Sequence, residues 1–145
     1  MFTWQEDYAL GFGEMDDTHR EFVDLVDTLR SCADGAVHPA LDALAAHLVR
    51  HFDEERQWMQ RTAFPSAQCH LDEHAAVLKS LGEVQAVVRE GRLDVARSFA
   101  RALAGWFPEH TEAMDSGLAK WMVRQRLGGE PLVIRRAAAR VAEEA

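Results

Sequence analysis

The sequence predicts an all-α fold, an up-down-up-down four-helix bundle with an N-terminal arm and a short C-terminal tail. Three observations carry this expectation. Apolar residues recur at helical spacing through four long segments. Short breaks marked by glycine or proline separate those segments. The chain has 145 residues, of which 48% are hydrophobic, enough for one domain with its own core. That domain is expected to span 1–145, with the arm at 1–16, the bundle at about 17–127 and the tail at 128–145.

The arm carries Trp4, Tyr8, Leu10, Phe12 and Met15, so it is expected to pack on the bundle. Asp16 or Asp17 is placed to cap a first helix over about 18–35, with Phe22, Leu25, Val26 and Leu29 on one face and Gly35 at its end. Pro39 suits the first turn of a second helix reaching about residue 62, striped by Leu41, Leu44, Leu48, Phe52 and Met59. After the AFPSAQ break, a third helix over about 69–90 shows Val77, Leu78, Leu81, Val84 and Val88, and Gly91 follows it. The fourth, about 93–127, shows Phe99, Leu103, Trp106, Met114, Leu118 and Trp121, and Gly128-Gly129 closes it. Four amphipathic helices with short joins make antiparallel neighbours. In the tail, Ile134, Ala138 and Val141 form a small apolar face, read as a frayed or lightly docked helix.

Charge narrows the partners. The net charge is −8 with no basic block, so neither nucleic acid nor an anionic membrane is an expected partner. The first residues are acidic and lack the pattern of a signal peptide, and no apolar run reaches transmembrane length. Cys32 and Cys69 show neither CxxC spacing nor a disulfide framework. They read as buried thiols, with the cytoplasm as the default compartment.

The informative residues are histidines. His19, His51, His70, His74 and His110 fall on the apolar stripes, where an unpaired polar group costs roughly 1–3 kcal/mol. His51 and Glu55, and likewise His70 and His74, are four apart and share a helix side. At about 1.5 Å per residue, His51 lies about 18 Å down the second helix and His110 about 25 Å down the fourth. Both descend toward the level at which the first and third helices begin, where His19, His70 and His74 stand. Asp115 is five residues beyond His110, about 140° round an ideal helix, so periodicity does not aim it inward.

Five imidazoles and two carboxylates exceed the needs of one ion and suggest two, with bridging carboxylates. Imidazole suits iron, zinc, copper and nickel alike. Helical bundles commonly house di-iron sites, whereas structural zinc favours cysteine-rich, four-coordinate sets.

The stretches MDDTH (15–19), HFDEERQWM (51–59), HLDEH (70–74) and HTEAMD (110–115) together resemble the hemerythrin family, in its single-domain bacteriohemerythrin form. The likeness runs from Trp4 to about Met122. It implies a non-haem di-iron centre, with His70, His74 and His110 on one iron, His19 and His51 on the other, and Glu55 and Asp115 bridging the pair beside an oxo or hydroxo group. The second iron then keeps an open position for reversible dioxygen binding. Phe22, Phe52 and Phe107 are the neighbours expected to exclude water there, although aromatics on these stripes would fill any bundle core. Two departures stand out. In Asp53-Glu54-Glu55 only Glu55 has the ligand spacing, and Pro108 inside the fourth helix is expected to kink it.

The remaining candidates read blandly. His47 is four residues from His51 but at the stripe's edge and without a family counterpart; His38 precedes a proline and is expected in solvent. Trp58, Trp106 and Trp121 read as packing. The leading function is therefore non-enzymatic: dioxygen binding for storage, delivery or sensing. The alternative is a di-iron enzyme acting on dioxygen, peroxide or nitric oxide, against which stands the absence of paired Glu-x-x-His motifs. A protein partner for delivery or signalling is unknown.

Overall fold

A computed structural model describes residues 1–126. The tail at 128–145 and its Ile134, Ala138 and Val141 face lie outside the described residues, as does the glycine pair proposed to end the last helix. Four helical rods form the bundle: α1 (Gly13–Ser31), α2 (Val37–Thr62), α3 (Ala67–Arg89) and α4 (Leu93–His110), the last running through a π-helical turn (Thr111–Asp115) into α5 (Ser116–Arg126). α1 packs on α2 and α4, and α3 packs on the same two, which is the square, antiparallel arrangement expected from the short joins. None of the described helices is long and apolar enough to cross a membrane.

Each rod presents one stripe to the interior. On α1 it is Met15, His19, Phe22, Val26 and Leu29; on α2, Leu41, Leu44, Leu48, His51, Phe52, Glu55 and Met59. α3 contributes His70, His74, Val77, Leu81 and Val88. The apolar interior falls into two clusters. The larger, from Phe22 and Phe52 to Leu29 and Val88, fills the long end of the bundle. The smaller, built on Phe12, Met15, Trp58, Met59 and Leu118, closes the other. The histidine layer lies between them, so it is capped by apolar side chains rather than sitting at an open end.

Several boundaries differ from the sequence expectation. α1 begins at Gly13, not near residue 18, and neither Asp16 nor Asp17 caps it. Asp16 is buried instead, and its carboxylate accepts the Leu10 N–H at 2.8 Å and the Gly11 N–H at 3.1 Å. These bonds hold the sharp entry turn, where Gly11 takes φ +85°. The other end of α1 stops at Ser31, four residues before Gly35. Arg97 of α4 accounts for this stop: its guanidinium donates to the carbonyls of Leu29, Arg30 and Cys32, at 3.2, 3.2 and 2.8 Å.

The arm is ordered and docked as expected. The Phe2 N–H donates to Asp27 at 2.7 Å, and its ring meets Phe22 and Phe107 edge-on at 6.5 and 6.1 Å. Tyr8 stands against Phe107 at 5.2 Å, and the Arg20 guanidinium lies 4.6 Å over Trp4. The thiols are not buried as expected. Cys69 is exposed and Cys32 half-buried. Cys69 precedes the inward-facing His70 by one residue, about 100° round the helix, which turns it to solvent.

The Asp16 clamp generates a test. Asp16→Ala leaves two backbone N–H groups without their acceptor and should cost about 1–3 kcal/mol. Urea denaturation is expected to show a lower midpoint at an unchanged slope; an unchanged midpoint would show that the arm turn holds without it.

Candidate metal centre

All seven residues singled out from the sequence meet in one layer. His19 comes from α1, His51 and Glu55 from α2, His70 and His74 from α3, His110 from the end of α4 and Asp115 from the π turn. None is more than 4% exposed. The ring centroids of His19 and His51 lie 5.1 Å apart; those of His70, His74 and His110 lie 4.6 to 5.0 Å apart.

The π turn explains Asp115. In an α-helix five residues overshoot a full turn, but here the Ser116 N–H reaches back five residues to the Thr111 carbonyl. The extra residue in the turn brings Asp115 under His110, with Oδ1 3.1 Å from Nε2. Pro108 was expected to kink the helix. α4 runs through it to His110, and the regular ladder changes only beyond it, in the π turn.

The carboxylates divide their oxygens between two histidine groups. Glu55 Oε2 lies 3.2 Å from His51 and 3.8 Å from His19, while its Oε1 lies 3.2 Å from His70 and 3.5 Å from His74. Asp115 repeats the pattern: Oδ2 faces His19 at 3.2 Å, and Oδ1 faces His70 at 2.9 Å and His110 at 3.1 Å. Two donor groups result, one of His70, His74, His110 and Asp115, the other of His19, His51 and Glu55.

These atoms are close but not aligned as hydrogen bonds. Nε2 of His19 and His70, both Glu55 oxygens and Asp115 Oδ1 have no hydrogen-bond partner among the described residues. His74 and His110 bring their Nε2 atoms within 3.2 Å of each other. Two nitrogen lone pairs at that distance need a proton or a cation between them. Buried, convergent and unsatisfied donors of this kind fit metal ions, and the imidazole-carboxylate set fits iron among them.

The electrostatics agree. Burial disfavours charge on every imidazole, yet the Asp115 and Glu55 carboxylates overcome it at His19 and His70 and raise each to about 9. Burial prevails at His51 and His74, which fall to about 4 and about 3. Burial and the nearby Asp115 work against ionising Glu55, but His51, His19 and His70 hold it down at about 2. Asp115 likewise stays well below the usual carboxylate range despite burial, through His110, His19 and His70. The layer therefore demands positive charge, from protons or from metal.

An aromatic-lined cavity adjoins it. His19, Phe22, His51, Phe52, Trp106, Phe107, His110 and Asp115 enclose about 10 Å³ of free space, room for about one water-sized guest. Phe22 and Phe107 stack at 5.0 Å, Phe107 meets His19 edge-on at 5.1 Å, and Phe52 lies flat on His74 at 3.9 Å. The structure thus brings Phe22, Phe52 and Phe107 to the histidine layer. Trp106, read from sequence as packing alone, also belongs to the wall and stacks on His110 at 4.3 Å; its position four residues before that histidine was the available signal. His47 is not at a stripe edge but buried, with Nε2 3.4 Å from Glu21 and outside both donor groups. His38 is exposed, as expected.

A pH test follows for metal-free chain. His19 and His70 are raised above 6.5, so their contribution to stability is complete below pH 6.5 and is lost as pH rises through about 9. His51 and His74 are depressed, so stability also falls as pH drops from 6.5 toward about 4. Chemical denaturation across pH 4–10 (a range set by these values) is expected to show a maximum near neutrality. A flat profile from pH 7 to above 9 would contradict the paired imidazolium assignment.

Comparisons with known proteins agree with this geometry. The family described as Hemerythrin HHE cation binding domain matches residues 10–122. A bacteriohemerythrin of Ralstonia nicotianae is 32% identical over 122 residues, covering 84% of this chain and 89% of that protein. Those of Stenotrophomonas maltophilia and Pseudomonas aeruginosa are each 23% identical, covering 82% and 79% of this chain and 80% and 76% of theirs. No solved structure gives a significant match. The chain belongs to the hemerythrin family.

Proposed function

We propose that this chain binds dioxygen reversibly at a non-haem di-iron centre. The observation that carries the proposal is the division of both carboxylates: each sends one oxygen to the two-histidine group and the other to the three-histidine group. A single ion leaves half of those oxygens without a partner. Two ions would engage all of them, with Glu55 and Asp115 each able to serve both. His70, His74 and His110 would hold one iron, and His19 and His51 the other.

An iron pair held by these residues would supply the redox chemistry of reversible dioxygen binding. The chain's own residues make the event reversible. His19 and His51 would leave their iron one imidazole short of its neighbour, and both line the cavity, which His110 and Asp115 of the other group also line. Phe22, Phe52, Phe107 and Trp106 wall it with ring surface and exclude water that would carry protons to the bound gas. The arm supports the wall, because Phe2 and Tyr8 both pack on Phe107. Neutral imidazoles with only two carboxylates favour ferric iron less than a carboxylate-rich shell, which assists return of the gas. Storage, delivery and sensing all remain compatible with that chemistry.

Iron counted per purified chain tests the centre, and optical spectra of reduced protein through cycles of air and vacuum test the function. Two irons and a charge-transfer band that returns on each cycle are expected. Rapid decay to the ferric form with turnover of peroxide or nitric oxide would favour the enzymatic alternative. His74→Ala should strongly reduce bound iron and lower the melting temperature of the loaded protein; full iron content in that variant would remove His74 from the ligand set.

A further inference from the structure

Four of the five inward-facing imidazoles share a feature that the fifth lacks. The Nδ1 atoms of His19, His51, His70 and His74 have no hydrogen-bond partner among the described residues. His110 differs: its Nδ1 lies 2.6 Å from Glu73 Oε1, across the seam between α3 and α4. The other nitrogen of the same ring faces inward, 3.1 Å from Asp115 and 3.2 Å from His74 Nε2. Trp106 stacks on the ring face at an interplanar angle of 19°, so the ring is held in its plane and out of it.

Glu73 sits inside the HLDEH stretch, between the two α3 histidines, and the ligand set makes no use of it. Its side chain is 35% exposed, at the rim of a groove lined by Val77, Leu103 and Trp106. A carboxylate in that position is partly shielded by protein. A hydrogen bond from an imidazole N–H to such a group is charge-assisted, short and strong. It also fixes the tautomer, because a proton held on Nδ1 leaves Nε2 free for a metal.

We propose that Glu73 is a positioning residue that tunes one iron of the pair. By accepting the His110 Nδ1–H it gives the ring partial imidazolate character and makes Nε2 a stronger donor. The iron bound by His70, His74 and His110 therefore favours the ferric state more than its partner does. This rests on the di-iron reading above. It makes the two sites unequal in electron affinity as well as in ligand number.

The test compares Glu73→Gln, Glu73→Ala and Glu109→Gln. Glu109 lines the same groove, so its variant removes one nearby negative charge without altering a bond to an imidazole. In iron-loaded protein, Glu73→Gln keeps a neutral acceptor and should retain two irons, yet bind ferric over ferrous iron about tenfold less selectively. For a one-electron couple that is a midpoint potential raised by about 59 mV. Glu73→Ala should weaken iron binding by about 10–100-fold, and Glu109→Gln should leave the potential at the wild-type value. An unchanged potential in Glu73→Gln, or an equal shift in Glu109→Gln, overturns the proposal. Proton NMR of metal-free wild-type chain provides a readout independent of iron. The His110 Nδ1 proton should resonate far downfield and vanish in Glu73→Ala, and its absence from the wild type also overturns the proposal. An iron count other than two counts against the di-iron reading, while the NMR result still judges the Glu73 contact.

Discussion

Two carboxylates and five imidazoles, all but sealed from water, are the constraint around which the molecule is organised. Each carboxylate buried alone would be strongly destabilising. Here the compensation is mutual and incomplete. The imidazoles crowd the oxygens closely enough to keep Glu55 and Asp115 ionised, yet the atoms converge without completing hydrogen bonds. A layer of this kind is stable only with added positive charge. That requirement ties the stability of the bundle to the charge state of this layer, whether protons or metal supply it.

The remaining architecture serves this layer. Apolar clusters close it on both sides, with Phe22, Phe52 and Phe107 above and Phe12, Met15 and Trp58 below. The arm is part of the closure and not an appendage. Asp16 clamps its entry turn one helical turn from His19, and Phe2 reinforces Phe107 from outside. Displacing the arm would loosen the aromatic wall before it disturbed any ligand.

Much of this was legible in the sequence, for identifiable reasons. The helices and their order follow from stripes of period 3.6, and the convergence of His19, His51, His70, His74 and His110 follows from counting residues along antiparallel rods. What periodicity could not supply were departures from the ideal helix and contacts between rods. Asp115 needed a π turn that no local propensity announces. The end of α1 depended on Arg97, sixty-five residues away from the Cys32 carbonyl that it binds. Asp16 looked like a helix cap because short acids before apolar runs usually are, whereas its carboxylate reaches backward to the arm. Glu73 and Trp106 act on His110 from positions that, read alone, suggest a surface acid and a core aromatic.

The two sides of the layer also differ in their surroundings. The two-histidine side meets the small aromatic cavity, whose Phe107 wall the arm supports. The three-histidine side is backed by α3, by the Trp106 stack and by the Glu73 carboxylate, beside a surface groove that His110 also lines. His110 and Trp106 stand between the two, lining both the aromatic cavity and the groove that Glu73 borders. A bundle with four similar helices has no intrinsic reason to be so unequal. The inequality arises from three local features: a second histidine one turn along α3, an extra residue in the turn after His110, and one glutamate at the α3–α4 seam. Together they give the two histidine groups different numbers of imidazoles and different surroundings.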